Sequence, residues 1–255
     1  MNYTAIALSP RALLERWDAQ QTAYVAHREL RFRSMLDVLR LHLTEPFHVL
    51  DLACGPGSLA DRVLTAFPRA RVTAVDYDPV LLRLADAVLA EHGGRATVVD
   101  SDLVRADWIE PLAGERIDAV VSSTALHWLS PSQLLRVYTA LGDLLPPGAI
   151  FLNADHLRYE PGNETLGALS EQHDAEVQRE SFAAGADTWD AWYELATAQP
   201  GTAPFAAERE RRFADRPPQP KSPLHFHLSA LSTAGFTEVG TVWQYLDDYV
   251  VFARR

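Results

Sequence analysis

The sequence predicts an α/β protein built on a doubly wound, largely parallel sheet. Short apolar runs alternate with longer amphipathic segments between residues 46 and 156, which is the rhythm of strands alternating with helices. The runs are almost continuously apolar, as strands buried on both faces are. Right-handed crossovers then place the carboxyl ends of the parallel strands at one edge, where such folds bind ligands.

Each element follows from a local pattern. Ser9-Pro10 predicts a helix start, and a longer helix is expected over residues 20–43 because apolar residues recur there at helical spacing. Further helices are expected over 58–67, from Asp78-Pro79 to residue 92, and from Ser130-Pro131 to the prolines at 146–147. Five strands are predicted, at residues 47–53, 70–76, 96–99, 117–122 and 149–154.

Residues 157–223 interrupt this alternation. Helical stretches are predicted at 164–185, 188–197 and 203–215, followed by a proline-rich connector at 216–220, so this segment is interpreted as a helical insertion beside the ligand edge. Ser222-Pro223 is expected to cap a helix ending at residue 234, with closing strands at 237–246 and 249–253. The predicted units are N-terminal lid helices (1–45), an α/β core (46–156), the insertion as a substrate lid (157–223), and a closing segment (224–255).

Composition limits the classes of function. The net charge of −11 disfavours binding to phosphate backbones, and no apolar run is long enough to cross a membrane. The first residues lack a basic stretch followed by an apolar core, and the single cysteine, Cys54, cannot form an internal disulfide. These features predict a cytoplasmic protein without a nucleic-acid or membrane partner, and they do not distinguish a monomer from a homodimer.

A glycine turn follows the first predicted strand, in the order strand, turn and helix. Gly55 and Gly57 lack a side chain, so the backbone there can approach a ligand closely, and a helix N-terminus follows. The spacing Gly55-x-Gly57-x-x-Ala60 also matches a loose dinucleotide fingerprint. Asp51 argues against a dinucleotide, because a carboxylate at this strand end repels a pyrophosphate and suits a cationic ligand.

The stretch from Val49 to Gly57, VLDLACGPG, resembles the first motif of class I S-adenosylmethionine (SAM)-dependent methyltransferases. The resemblance covers about residues 47–154 and 224–255, and it is closest to small-molecule members of the trans-aconitate methyltransferase type. It implies a Rossmann-like sheet of seven strands with the last one antiparallel. It also implies that SAM is the methyl donor, with Asp51, Ala53, Gly55 and Gly57 among the residues that bind it.

Other cofactor-binding residues follow the next strand ends. Asp76 ends the second strand, where a carboxylate can accept both ribose hydroxyls, and Tyr77 follows it and could lie against the adenine. By resemblance, an acid after the third strand takes the adenine amino group and its neighbour packs on the ring. This implies Asp102 and Leu103, with Asp100 as the alternative acid. The candidate set is completed by Thr124 after the fourth strand and by Tyr24 on the N-terminal helices, which with His27 would form a lid.

The loop after the fourth strand is expected to face the transferred methyl group. It contains His127, the best candidate for a general base or a substrate-orienting group, because imidazole titrates near neutrality. A histidine that only packs beside Trp128 is the alternative reading. His156, after the fifth strand, is the second catalytic candidate. The loop lacks the (N/D)PP(Y/F) signature of amino-methylating enzymes and the acid of metal-dependent catechol-type enzymes, so no metal is expected.

Aromatic residues supply candidates for the acceptor pocket. Trp128, Trp189 and Trp192 are the substrate-binding candidates; for the last two, packing of the insertion on the sheet is the preferred reading and an aromatic pocket wall is the alternative. The charged run at residues 208–212 is interpreted as a solvated helix face.

The sequence therefore predicts a SAM-dependent methyltransferase acting on an oxygen, nitrogen or carbon of a small molecule, a carboxylate or a secondary metabolite being compatible. Two alternatives remain open. One is a SAM-binding protein without transferase activity, such as a partner subunit or a cyclisation catalyst. The other is an NAD(P)-dependent oxidoreductase.

Overall fold

The computed structural model describes residues 7–215, 218–220 and 222–255. Two predictions fall partly outside this range. Residues 1–6 of the predicted N-terminal unit and residues 216–217 of the proline-rich connector lie outside the described residues, as does residue 221.

One sheet of seven strands forms the centre of the described chain, in the order β3-β2-β1-β4-β5-β7-β6. The strands from β3 to β5 in this order pair in parallel, whereas β7 pairs antiparallel with both β5 and β6. The predicted Rossmann-like sheet with an antiparallel last strand is therefore confirmed. The strands are β1 (His48–Leu52), β2 (Arg71–Asp76), β3 (Ala96–Asp100), β4 (Ala119–Ser123), β5 (Ile150–His156), β6 (Glu238–Tyr245) and β7 (Asp248–Arg254).

Helices cover both faces of the sheet, as the near-continuous apolar strands require. On one face α2 and α3 pack against β1 and β2, and on the other α5 and α9 pack against β4, β5 and β7. The helices are α1 (Pro10–Thr22), α2 (Arg28–His42), α3 (Ser58–Ala66), α4 (Pro79–Leu89), α5 (Pro131–Leu144), α6 (Glu164–Ala183), α7 (Trp189–Thr197), α8 (Ala203–Phe213) and α9 (Leu224–Thr233). None of the helices in the described ranges is long and apolar enough to span a bilayer.

Local capping signals predict three helix starts correctly. Ser9, Asp78 and Ser130 each accept backbone N–H groups at the start of α1, α4 and α5, and Ser130 forms a reciprocal capping box with Gln133. The predicted cap of α9 is wrong. Pro223 occupies the N-cap position there, and no side chain caps the helix.

The predicted helix over residues 20–43 is also wrong in its first third. α1 ends at Thr22, and α2 begins only at Arg28, after a turn in which His27 adopts a left-handed φ of 55°. Within this turn the carbonyl of Tyr24 accepts a hydrogen bond from His156 of β5. Burial of Ala23, Val25 and Ala26 and this tertiary bond outweigh the helical propensity of the segment.

A third layer lies above the α4 side of the sheet. Apolar residues of α1, α4 and α7 form a separate buried cluster that includes Trp17, Leu84 and Trp192. The insertion is thus anchored to the N-terminal helix and to α4, at the edge where the parallel strands end.

Candidate active site

A large cavity opens at the carboxyl ends of the parallel strands. Its volume is about 930 Å³, and it lies where the strand order reverses between β1 and β4. Ligands bind at this switch point in open α/β sheets. Loops after β1, β2, β3 and β4 form its floor, and residues of α1, α2, α7 and α8 form its cover.

In the glycine turn after β1, Gly55 lines the cavity, whereas Gly57 does not. Gly55 has a φ of 58° and Gly57 a φ of 87°, conformations that side chains rarely tolerate. Ala53 shares this left-handed geometry with a φ of 52°. At Gly57 a Cβ would lie 3.3 Å from the side chain of Leu89 on α4, a tight contact that adds to the strain of a side chain at this φ.

Asp51 is buried at the end of β1 and lines the cavity. Burial raises the pKa of Asp51 to about 8, against the opposing effect of a hydrogen bond from the backbone N–H of Ala60 at 3.1 Å. The nearby carboxylate of Asp76 raises the pKa further. A carboxyl group in this state gains a large interaction energy when a cation binds beside it.

Asp76, at the end of β2, also lines the cavity. Its carboxylate accepts backbone N–H groups of Gly55 at 2.7 Å, Tyr77 at 2.6 Å and Asp78 at 2.8 Å. Burial nevertheless raises the pKa of Asp76. The three bonds hold the carboxylate rigidly. Oδ1 accepts two of them, whereas Oδ2 accepts one and retains capacity to accept a further hydroxyl.

The two acids after β3 are in different environments. Asp102 and Leu103 both line the cavity, and Asp102 accepts the backbone N–H of Val104 at 3.0 Å. Asp100 instead forms a two-point ion pair with Arg212, at 2.7 and 2.8 Å. The geometry therefore favours Asp102 over Asp100 as the acid that faces a ligand, and the adenine assignment stays a prediction.

Sequence reasoning did not single out Arg28, which lines the cavity from the start of α2. Its side chain is only 5% exposed and lies 2.8 Å from Asp18, while its guanidinium stacks on Phe32. Burial lowers the pKa of Arg28. In the sequence Arg28 stands between His27 and Glu29, a polar context that does not distinguish a buried cation from a surface one.

His127 lies at the opposite end of the cavity, in the loop after β4, beside Thr124 and Trp128. Its Nδ1 lies 2.6 Å from Oδ1 of Asp155, and its backbone N–H donates to Oδ2 of the same residue at 3.0 Å. Burial acts to raise the pKa of Asp155, but attraction from His127, His156 and Arg31 outweighs it and lowers the pKa. Sequence reasoning missed Asp155, because only sheet pairing brings β5 beside this loop.

His156 also lines the cavity, but its ring is held on both sides. Nε2 lies 3.1 Å from the carbonyl oxygen of Tyr24, and Nδ1 lies 2.5 Å from Oδ1 of Asp248. Arg31 also pairs with Asp248, and both groups are buried. This geometry favours His127 over His156 as a base, and it gives His156 a role in joining the N-terminal turn to the sheet.

The aromatic candidates divide between wall and core. Trp128 and Trp189 line the cavity, and Trp189 is 38% exposed. Trp192 does not: it is fully buried, with its ring against Trp17 and its Nε1 donating to the carbonyl of Leu13. The substrate-binding prediction for Trp192 is therefore wrong, because the helical turn from Trp189 directs the later ring into the third layer.

Tyr24 lines the cavity as predicted, and its hydroxyl accepts the backbone N–H of Trp189 at the start of α7. His27 does not line it. This exposed histidine stacks on His173 of α6 and lies against Tyr245 of β6, so its predicted place in a lid over the cofactor is wrong.

The charged run on α8 is only partly a solvated face. Arg209 donates to Asp78 at 2.7 Å with its guanidinium 3.8 Å above the Tyr193 ring, and Arg212 bonds the carbonyl of Tyr77 as well as Asp100. Arg211 remains exposed and pairs with Glu208 within the helix. The solvated-face interpretation is thus wrong for Arg209 and Arg212, which connect α8 to the ends of β2 and β3.

The residues at the cavity fit a cationic sulfonium nucleoside. A buried carboxyl, a rigid carboxylate that can take a further hydroxyl, a glycine turn and a buried guanidinium lie around one cavity. Within residues 7–215, 218–220 and 222–255, no three histidine, cysteine or acidic side chains are grouped to hold a metal ion.

Comparison with known proteins defines the class. Residues 49–148 match the family described as a methyltransferase domain. Over 172 residues, 62% of each chain, the protein is 28% identical to trans-aconitate 2-methyltransferase of Rhodopseudomonas palustris. These matches support the class I SAM-dependent methyltransferase that the motifs predicted. It spans 62%, 48% and 53% of the length of three curated trans-aconitate 2-methyltransferases that it matches.

Solved structures support the same fold. Human N-acetylserotonin methyltransferase in complex with SAM superposes with a TM-score of 0.54 and 18% identity, over 96% of this chain and 57% of that one. An O-methyltransferase family 2 protein from Planctomyces limnophilus, in complex with apigenin, superposes with a TM-score of 0.54 and 15% identity, over 98% of this chain and 63% of that one. At these identities the likeness concerns the fold.

Proposed function

We propose that this protein transfers a methyl group from SAM to a small-molecule acceptor. The cavity at the switch point, with Asp51 and Asp76 at adjoining strand ends around the glycine turn, is the observation that carries the proposal. When bound, SAM supplies a methyl carbon already activated by a sulfonium. The protein then has to bind the cofactor and the acceptor, align the two and exclude water. Together these effects can lower the reaction barrier by about 7–11 kcal/mol.

Each part of the cofactor has a chemically matched partner. Asp51 is assigned to the cationic methionine end, Asp76 to the ribose hydroxyls, and Asp102 with Leu103 and Tyr77 to the adenine. The backbone of Ala53, Gly55 and Gly57 gives close approach, and Thr124 completes the set. We add Arg28, whose buried guanidinium suits the methionine carboxylate.

Around the acceptor, we assign Trp128, Trp189 and Tyr24 to the walls and the insertion, residues 157–223, to a lid. His127 is assigned as the base or orienting group. The net charge of −11 and the lone Cys54 support a non-nucleic-acid acceptor and a cytoplasmic location.

Calorimetry with SAM and with NAD(H) tests the cofactor. We expect SAM and adenosylhomocysteine to bind at the micromolar level and to raise the melting temperature, because a ligand that binds only the native state stabilises it. Preferred binding of NAD(H) would favour the oxidoreductase alternative. Binding of SAM without transfer to any acceptor in a broad screen would favour a non-transferase.

A further inference from the structure

The buried arginine at the start of α2 has one carboxylate close beside it. Nη1 of Arg28 lies 2.8 Å from Oδ1 of Asp18, on α1. The next acid, Glu29, is 3.7 Å away and more than half exposed. Arg28 lines the cavity, whereas Asp18 does not. Asp18 therefore acts on a ligand in the cavity through the guanidinium of Arg28 and not by direct contact.

The carboxylate of Asp18 also joins three helices at the cavity wall. Oδ1 accepts the hydroxyl of Ser58 at 2.7 Å, and Oδ2 accepts Nη2 of Arg62 at 3.1 Å. Ser58 is buried in the first turn of α3, directly after the glycine turn, and it lines the cavity. Because Asp18 lies on α1 and Arg28 on α2, one side chain fixes α1, α2 and α3 relative to one another.

Without this carboxylate, the guanidinium of Arg28 would be a buried charge with no close counter-ion. Burial lowers the pKa of Arg28, and the attraction of Asp18 opposes that effect. The guanidinium of Arg62 lies over the same Phe32 ring, at 4.9 Å against 4.6 Å for Arg28, and repels it. A buried cation that loses its partner is strongly destabilised. We therefore expect Arg28 to turn out of the cavity wall toward water when the carboxylate of Asp18 is removed.

We propose that Asp18 is a positioning residue for cofactor binding, which holds the guanidinium of Arg28 in the cavity wall and so enables it to take the methionine carboxylate. The proposal rests on the proposed use of SAM and on the assignment of Arg28 to that carboxylate. A flexible arginine side chain loses rotamer freedom when it binds an anion, and a contact that fixes it beforehand reduces this cost. The effect of Asp18 should therefore appear only with ligands that carry the carboxylate.

Two ligands that differ only in this group test the proposal. Decarboxylated SAM retains the adenosine, the sulfonium and the amino group of SAM and lacks only the carboxylate. Calorimetry gives the ratio of the two dissociation constants, which measures the contribution of the carboxylate to binding. We expect the wild-type protein to prefer SAM about 10–150-fold, the range for hydrogen bonds to a charged group. Arg28→Gln should bind the two ligands about equally.

Asp18→Asn should lower the preference for SAM by about tenfold, the lower end of the same range, while the affinity for decarboxylated SAM stays as in the wild type. A residue that only fastens α1 would weaken both ligands alike when it is changed, and that result would overturn the positioning role. Arg11→Gln is the matched control, because Arg11 joins α1 to Asp61 of α3 by a two-point ion pair outside the cavity. It should leave the preference unchanged.

Asp18→Glu tests position separately from charge, and it replaces Asp18→Asn if that variant fails to fold. The carboxylate moves by one methylene, so the preference for SAM should fall, although less than in Asp18→Asn. An unchanged preference in Asp18→Glu, or a higher one in Asp18→Asn because a competing anion is gone, would overturn the positioning role.

The same titrations distinguish this proposal from the proposed function. Equal binding of SAM and decarboxylated SAM by the wild-type protein would overturn the assignment of Arg28, and the role of Asp18 with it, while leaving methyl transfer intact. A wild-type protein that binds neither ligand would instead overturn the proposed function itself.

Discussion

The two ends of the cavity are built differently. At the β2–β3 end, Asp76 and Asp102 accept backbone N–H groups, and Arg212 of α8 donates to the carbonyl of Tyr77. At the β4–β5 end, His127 pairs with the buried Asp155 and lies beside Trp128. Fixed polar groups provide recognition at the first end, whereas the second offers one group that can gain and lose a proton.

The segments that cover the two ends of the cavity are also held by different kinds of contact. Arg212 and Asp100 pair across the β2–β3 end on the protein surface, where water screens the charges and each pair contributes about 0–1 kcal/mol. The β4–β5 end is joined through buried groups, because Arg31, Asp248 and His156 connect α2 to β5 and β7. We therefore expect α8 to open more readily than the N-terminal turn, and a ligand at the β2–β3 end to exchange past α8.

Removal of the Asp76 carboxylate should have the largest effect on binding. Asp76→Ala is expected to weaken SAM by about 1.5–3 kcal/mol, the scale of hydrogen bonds to a charged group, which is about 10–150-fold in Kd. Calorimetry measures the change, and melting curves show whether the glycine turn still folds. Asp107→Ala, at an exposed acid outside the cavity, is the control. Equal affinity in Asp76→Ala and wild type would remove the ribose assignment.

Asp51 should make cofactor binding depend on pH. Its pKa of about 8 means that it is largely protonated below that pH, and a bound cation requires the carboxylate. Binding should therefore release a proton near pH 7, and affinity should rise by at most about tenfold per pH unit until pH 8. Calorimetry in buffers of different ionisation enthalpy counts the proton.

Asp51 also makes the stability of the ligand-free protein depend on pH. The pKa of Asp51 in the folded protein lies above the unfolded value of about 3.9. Its contribution to the free energy of unfolding is therefore fully present below the unfolded pKa and is lost as the pH rises through about 8. Asp51→Asn should remove both this dependence and the proton release. Proton uptake on binding would contradict the assignment of Asp51 to the cationic end.

The smallest expected effect concerns α8. Arg212→Ala removes one partly exposed pair, so adenosylhomocysteine should dissociate only a few-fold faster. Hydrogen exchange in α8 should be faster in this variant and should slow in the wild type when ligand binds. Arg105→Ala breaks a similar two-point pair with Asp107 outside the cavity and is the matched control. Identical hydrogen exchange of α8 in the free and the ligand-bound wild-type protein would contradict the prediction that α8 opens to let the ligand exchange.

Local patterns were sufficient where a single segment decides the outcome. The strands around Asp51 and Asp76 and the caps at Asp78 and Ser130 depend on neighbouring residues, and the structure has them where the sequence predicts. The sequence could not predict that Trp189 lines the cavity while Trp192 is buried, because helical spacing is compatible with either ring in either place. Only the packing of α7 on α1 and α4 shows which ring is buried.

The sequence by itself determined the sheet, the glycine turn and the class of ligand, because hydrophobic period, capping residues and a carboxylate at a strand end act over a few residues. The tertiary structure alone decided three features: the partner of His127, the burial of Arg28, and the attachment of α8 through Arg209 and Arg212. Each of these joins residues far apart in the chain. Such contacts form only when the sheet and helices have packed, because a charge or hydrogen bond acts over ångströms in space and leaves no period in the sequence.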